Sequence, residues 1–576
     1  MGLLNSALQI GRSAILSYQG ALQTVGNNVS NAGSPDYTRL APQLDPIPGT
    51  TIGNGLQPGA GVALTDIRRY IDDALEGRLR LAIGTTEAAS ARQTTLGQVE
   101  SFMDDSTGAG IATRLGAFFK AFDNLQNTPE DSASRDLTIS AGSQLADSLS
   151  GLRTQFARLG EAVDSQIGDA VKQADDFAAQ IAQLNARITT GEAGRKGQTS
   201  ALRDQRDALL RKLGELFDVT VREQPDGGIN VYVGSETLVQ GGASRGLKAV
   251  TNSDGEFVRT SVRLADTDQQ VEIRGGRLAG LIRSRDEDAY GRVSGLDHLA
   301  AALIADVNRI HANGQGLKGF RAVTGSYDVL SPDAVLNSSA TGLPETVQNG
   351  SFYITVADDA TKTPVAYRID VNFDQQGGGA TLRSLVDDIN AQLQGVTASV
   401  TSDNRIAFKA DTGFSFTFGY DGQQPRDDTS GVLAALGVNT FFSGTDAKNI
   451  AVNQTLQQDP SLLAAGSVFL PGDGANARRI AALDTATSDR LSGASIPGFY
   501  NGIANDVAVT AAAANSDVDA ASAVQSSLQA QRENISGVNL DEEAISLVKF
   551  QRAFQGAARF VSVVDQMIGD LVNLIR

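Results

Sequence analysis

Two histidines and no cysteine in 576 residues set narrow limits on what the side chains can do chemically. Without cysteine there is no disulfide, no thiolate nucleophile and no Cys-ligated metal. His298 and His311 fall on one expected helix, 13 positions apart, and nothing local supports a catalytic site. A Ser-His-Asp or His-metal site would have to be assembled from distant segments, so both histidines are expected at ordinary surface or interface positions. The acidic stretches "SDGE" (Ser253–Glu256) and "DTDQQVE" (Asp266–Glu272) lack the ligand spacing of a calcium loop. The glycines from Gly377 to Gly379 precede no Gly-Lys-Ser/Thr, so they read as a linker between β elements and not as a phosphate-binding loop. The pairs Asp104/Asp105 and Asp387/Asp388 read as solvated helix faces or caps. No catalytic, cofactor-binding or metal residue is assigned.

Composition points the same way. A net charge of −18 disfavours general nucleic-acid binding, which needs clustered Lys and Arg to neutralise phosphates. No run of about 18 apolar residues is present, so no membrane-spanning helix is expected. The opening "MGLLNSALQIGRSAILSYQG" lacks a basic region, a continuous apolar core and a small-residue cleavage site, so no cleavable secretory signal is expected. Its Met-Gly start is only loosely like a myristoylation site, because Gly2 leads straight into a patterned helix.

That helix is the most strongly patterned element. Alternating steps of four and three give Leu4, Leu8, Gly11, Ile15, Tyr18, Leu22, Val25 and Val29, a heptad seam broken in apolarity only by Gly11. One apolar stripe on a helix about 40 Å long is marginal alone in water and needs a partner. The other chain end offers one. Stepping back from Ile575 gives Leu571, Ile568, Val564, Val561, Ala557, Phe554 and Phe550, again without a charge. Its start at "SGVNLDEEA" has Asn539 as cap, with Asp541 to Glu543 on the positive end of the helix dipole. Either the two ends pair inside an ordinary globular domain, or they form an assembly core in which each subunit's pair packs against its neighbours. Between the first helix and the rest lies "NNVSNAGSPDYTRL". Asn31 and Gly33 can adopt the backbone that ends a helix, Pro35 cannot continue it, and Tyr37 offers an anchoring ring.

Further along, "DIRRYIDDALEGRLRLAI" predicts a long helix capped by Asp66 and running to about Met103. A second helix is expected at about 110–126 and a third at about 131–190. The third carries Leu145, Leu149, Leu152, Phe156, Leu159, Val163, Ile167, Val171, Phe177, Ile181, Leu184 and Ile188 at spacings of three and four. At "VTVREQPDGGINVYV" the period becomes two, with "PDGG" as a hairpin turn. A helix ends at Gly314; strands dominate about 326–444 around one short helix, "TLRSLVDDINAQL"; helices return after Asn449. The fold class expected is a multidomain α+β chain: terminal coiled-coil helices and a long helical bundle with inserted mainly-β outer domains. The divisions are 1–60 with 535–576 as assembly core, 61–217 with 447–534 as long-helix bundle, 218–325 as a β-rich middle domain with a helix, and 326–446 as an outer mainly-β domain.

The turn resembles a motif near the start of bacterial flagellar axial proteins, matched by Asn27, Asn28, Val29, Asn31, Pro35, Tyr37, Thr38 and Arg39, with Ser34 in place of Thr and Asp36 in place of Gly. The end from Ser536 to Ile575 and the stretch "LAALGVNTFFSGTDAKNIAVN" (Leu433–Asn453) are similar to the hook-associated protein 1 family, also called FlgK. The resemblance implies a structural protein at the hook–filament junction, extracellular and exported through the flagellar type III channel, that performs no reaction. It implies self-assembly in a helical ring, hook protein and hook-associated protein 3 as axial neighbours, and a cytoplasmic export chaperone at the C-terminal helices. The assembly interface expected is the two seams (Leu4, Leu8, Ile15, Tyr18, Leu22, Val25, Val29; Phe550, Phe554, Val561, Val564, Ile568, Leu571, Ile575) with Asn31, Pro35 and Tyr37. The competing readings are a secreted hydrolase or adhesin on a helical stalk, and a protein like hook-associated protein 3 or flagellin.

Overall fold

The computed structural model of the chain describes residues 2–49, 59–106, 108–192, 199–361, 363–374 and 379–574. Ile575 and most of the Gly377–Gly379 run therefore lie outside the described residues. The chain forms two compact units, each built from separated segments. The first comprises Met1–Thr94, Glu161–Arg285 and Ala512–Arg576; the second comprises Thr95–Gly160 and Asp286–Ala511. The expected 326–446 segment lies wholly within the second.

In the first unit the N-terminal helix spans Gly2–Ser30 and the C-terminal helix Leu540–Leu574. Between the first helix and the next, the sequence-based expectation fails. Val62–Arg69 is a strand, paired antiparallel with Leu40–Pro46, and the following helix starts only at Asp73. Asp72, not Asp66, is the cap: its Oδ1 accepts from the amides of Ala74 and Leu75, both at 3.0 Å. A two-stranded ribbon tolerates Pro42 and Pro46 because each strand has a free edge. The hairpin predicted at "PDGG" is present, Val219–Glu223 pairing with Ile229–Val233, and it extends through Glu236–Gln240 and Ala243–Ser244 into four strands. The buried carboxamide of Asn185 holds this sheet to its helix, donating to the carbonyls of Ile229 and Gly241 and accepting from the Ile229 amide.

The long helix runs from Ser132 to Glu192. Its expected apolar positions are buried except Phe177, which is half-exposed; there the stripe passes through Ala174 and Ala178, both fully buried. A straight helix turns every 3.6 residues and drifts against a seam of mean period 3.5, so spacing alone chose the wrong member of a neighbouring pair.

The second unit is organised around the stretch Leu433–Asn453. Phe441 and Phe442 are fully buried against Phe118, with Phe441 also against Phe122, in edge-to-face or tilted pairs 5.3–5.6 Å apart. Asn439, held at φ 53°, donates to the carbonyls of His311, Ala312 and Gly314, at and just beyond the end of helix Gly291–His311. Asn308 and Phe442 exchange two hydrogen bonds, at 2.8 and 2.9 Å. Two three-stranded sheets flank this knot: Gly350–Asp358 lies between Pro364–Val371 and Phe414–Phe418, and Ile406–Ala410 lies between Val396–Val400 and Ala322–Thr324. That last strand precedes residue 326, so hydrogen bonding joins the β segment to the chain ahead of it. The short helix Leu382–Gln392 begins with a reciprocal cap between Thr381 and Ser384. Asp387 and Asp388 are exposed on it, as expected. Asp105 ties the loop ahead of helix Ile111–Leu125, accepting from the Gly110 amide and the Thr113 hydroxyl.

His298 is exposed, but His311 is not the surface or interface residue expected. It is fully buried, Nδ1 facing the Asn439 carbonyl at 2.8 Å and Nε2 accepting from the Ala464 amide at 3.1 Å. These partners fix a neutral ring that donates through Nδ1. Burial pushes its pKa down from 6.5 to about 4. Because the unfolded ring takes up a proton first, the stability it contributes is full above pH 6.5 and is lost as pH falls toward 4, on the order of 3 kcal/mol in total. The advantage of the native chain over His311→Gln in the unfolding transition of the second unit should therefore shrink from neutral pH to about pH 4. A gap constant across that range would contradict this account.

Candidate assembly site

The two terminal helices pack against each other within one chain. Tyr18 meets Phe550 with ring centroids 6.5 Å apart. At Gly11, the single gap in the apolar seam, the helices approach closely: a Cβ there would run into Val561 Cγ2. Ser17 fixes the strand beside the pair, donating to the Val62 carbonyl at 2.9 Å and accepting from the Leu64 amide at 3.1 Å.

The motif after the first helix closes this pair through one buried side chain, Asn28. Its Nδ2 donates to the Leu40 carbonyl at 2.8 Å and to Glu543 Oε2 at 2.9 Å; its Oδ1 accepts from the Tyr37 hydroxyl at 2.8 Å and the Leu40 amide at 3.0 Å. Every donor and acceptor of the carboxamide is used. The second Glu543 oxygen accepts from Arg39 Nε at 2.8 Å, and Arg39 Nη1 reaches Glu542 at 2.6 Å. Glu543 is only 2% exposed, in the first turn of the C-terminal helix. Its charge is compensated by Arg39, by Asn28 and by the helix dipole, the condition under which a buried carboxylate is tolerated. Burial first, then the negative charges of Asp204 and Glu543, push the Tyr37 hydroxyl up to about 12, so it remains a donor. Burial works against the charge of Arg39, but its bonds to Glu542 and Glu543 outweigh this and raise its pKa.

The turn is anchored on its other side as well. Arg532 donates to the Pro35 carbonyl at 3.1 Å and to buried Glu76 at 2.7 Å; Arg211 bridges Asp36 at 2.7 Å and Glu76 at 3.2 Å. Asp36, the departure from glycine in the motif, is thus an ion-pair partner. Neither it nor Asn31 nor Gly33 has a left-handed backbone. The helix ends instead with the Asn31 amide shared between the carbonyls of Asn27 and Asn28, followed by bonds from Ser34 to Asn31 and from Tyr37 to Ser34.

Of the residues expected to form the interface, Val25 and Val564 are buried; Leu4, Leu8, Ile15, Tyr18, Leu22, Asn31, Tyr37, Phe550, Phe554, Val561 and Ile568 are half-buried; Val29, Pro35 and Leu571 are exposed. The pairing leaves a second apolar stripe uncovered in the single chain: Phe560, Val563 and Met567, at spacings of three and four, are 42%, 53% and 54% exposed. Sequence reasoning missed Asn28, Arg39 and Glu543 as site residues. The first two stand in the quoted motif, and the third was read only as a dipole partner. Glu76, Arg211 and Arg532 carry no local signal.

Residues 96–325 match the family described as the flagellar hook-associated protein FlgK helical domain, and residues 529–574 match the C-terminal family of the flagellar basal body rod FlgEFG proteins. Both matched families are families of flagellar proteins. Over its whole length the chain is similar to flagellar hook-associated protein 1. It is 27% identical to that protein of Escherichia coli over 594 aligned positions, covering 99% of both chains, and 22% identical to that of Bacillus subtilis, covering 98% of this chain and 97% of the other. The solved structure of the flagellar hook junction protein FlgK from Burkholderia pseudomallei superposes with a TM-score of 0.49 at 20% identity, covering 80% of this chain and 100% of that one.

Replacing Asn28 with Ala removes four hydrogen bonds and leaves the Tyr37 hydroxyl and one Glu543 oxygen without a partner. A loss of about 2–3 kcal/mol is expected, read as faster hydrogen exchange at the Leu40 amide. Unchanged protection there would show that Asn28 does not close the helix pair.

Proposed function

We propose that this chain is a structural component of the bacterial flagellum at the junction between hook and filament, and that it assembles through its paired terminal helices. The observation that carries the reading is the pair itself. Asn28, Arg39 and Glu543 lock it, yet it keeps an apolar stripe open along the C-terminal helix. A helix stripe of this kind is covered when neighbouring subunits stack their pairs side by side. Full-length similarity to flagellar hook-associated protein 1 supports the same place in the flagellum. The neighbours this assigns are further copies of the chain in a helical ring, hook protein on one side and hook-associated protein 3 on the other. Before assembly, a cytoplasmic export chaperone would cover the C-terminal helix, and the chain would leave the cell through the type III channel.

The function consists of packing, with no reaction step. A hydrolase would need a catalytic base. Of the two histidines, His311 has both ring nitrogens engaged by backbone atoms, and exposed His298 stacks edge-on against Phe499 at 5.6 Å.

Val563→Asp puts a charge on the exposed stripe without touching the Asn28 network. The monomer should keep its unfolding free energy to within about 0.5 kcal/mol, whereas filaments should fail to attach to hooks in cells carrying it. Normal attachment with this variant would remove the stripe from the assembly mechanism.

A further inference from the structure

The second unit carries a cleft of its own. Its volume is about 220 Å³, and its walls come from the start of the long helix (Pro129, Glu130, Arg135), from Gln315–Leu317 and from the loop Gly466–Asp473. The two walls opposite the helix are joined by backbone bonds: the Gln315 amide donates to the Gly466 carbonyl at 2.6 Å, and the Gly466 amide donates back at 3.1 Å.

Arg135 is only 1% exposed, and among the described residues it has no ion-pair partner. Its Nε donates to the Pro129 carbonyl at 2.7 Å and its Nη1 to the Leu463 carbonyl at 2.7 Å, with longer bonds to Pro460 and Ser461. Nη2 has no hydrogen bond among the described residues. These carbonyls orient the guanidinium but carry no net charge to offset it. An uncompensated buried cation is costly, which is why buried arginines normally face a carboxylate. Burial alone accounts for the fall in the Arg135 pKa to about 10; nothing in its surroundings counteracts it.

The two acids in the walls accept from backbone amides and, among the described residues, make no ion pair with Arg135. Asp473 accepts from the amides of Ser467, Val468 and Ala475, and Glu130 accepts from the Gly472 amide at 3.0 Å. In the same lining, Gln315 donates through Nε2 to the Phe418 carbonyl, while its buried Oε1 has no partner. Two residues that line the cleft thus carry unused hydrogen-bonding capacity, a cationic donor on Arg135 and a neutral acceptor on Gln315. Leu317, Phe469 and Leu470 supply apolar surface, each at least 40% exposed.

We propose that this cleft binds a small carboxylic acid, its carboxylate on the Arg135 guanidinium and a hydroxyl or amide donor of the ligand on Gln315 Oε1. A planar guanidinium matches a carboxylate better than any other side chain does. The volume lies below the range of about 300–1,000 Å³ usual for drug-sized ligands, which limits the ligand to a few carbon atoms. The site is separate in sequence from the helix pair, so it does not depend on the assembly reading.

The test is calorimetric titration of the full-length chain with lactate and with succinate, against chloride at matched ionic strength. Lactate carries both a carboxylate and a hydroxyl donor, so it should bind with a millimolar Kd. Succinate, which has no donor at neutral pH, should bind at least about tenfold more weakly. Arg135→Gln should abolish lactate binding. Because that change lies in the core, Leu470→Glu provides a second arm: it sets a negative charge at the exposed mouth, should leave the fold intact and should weaken lactate about tenfold at low salt. Equal heats from lactate and chloride, or unchanged lactate affinity in either variant, would overturn the proposal.

Discussion

Burying a carboxylate at the start of the C-terminal helix is the constraint on which the terminal assembly of this chain depends. Glu543 can be dehydrated only if Arg39 and Asn28 both reach it, and both lie on the far side of the chain in sequence. Meeting that requirement fixes where the first helix stops, because Asn28 must sit on its last turn. It also fixes the course of the turn, because Tyr37 and Leu40 must return to the same carboxamide. The motif from Asn27 to Arg39 is therefore a hydrogen-bonding circuit, and its spacing is the distance the chain needs to come back on itself.

A second layer of charge surrounds the first. Glu76 receives Arg211 and Arg532, and those arginines also hold Asp36 and the Pro35 carbonyl. The turn is thus gripped by two other helices of the same unit. Buried charges do little for net stability, but a misplaced partner among them is heavily penalised. Such a network favours one register of the helix pair over the slipped registers that an apolar seam alone would permit. In the assembly proposed above, a fixed register would matter, since each neighbour would meet the stripe that the pair leaves open.

In the second unit the same problem is solved with neutral groups. Asn439 collects three carbonyls at the end of a helix, Asn308 binds Phe442 from both sides, and His311 stays neutral between two backbone atoms. The buried His311 ring makes stability there pH-dependent, and a cluster of phenylalanines packs around it. The stretch Leu433–Asn453 supplies Asn439, Phe441 and Phe442, all buried in the core of that unit.

The sequence by itself determined the elements whose signals are local and repeated. The seams at both ends, the 61-residue helix, the "PDGG" hairpin and the strands between residues 350 and 418 all follow from period and turn chemistry. Family motifs in the sequence also indicated the kind of protein. Signals that depend on one competing partner were not legible. Val62–Arg69 reads as the start of a helix until Leu40–Pro46 lies beside it, because pairing between strands overrides local propensity. His311 looked like a surface residue because its neutral state needs two backbone groups that arrive from residues 439 and 464. The roles of Asn28, Arg39, Glu543, Glu76, Arg211 and Arg532 were decided only by the tertiary structure. Hydrogen bonds act over about 3 Å, and the groups they join here stand far apart along the chain.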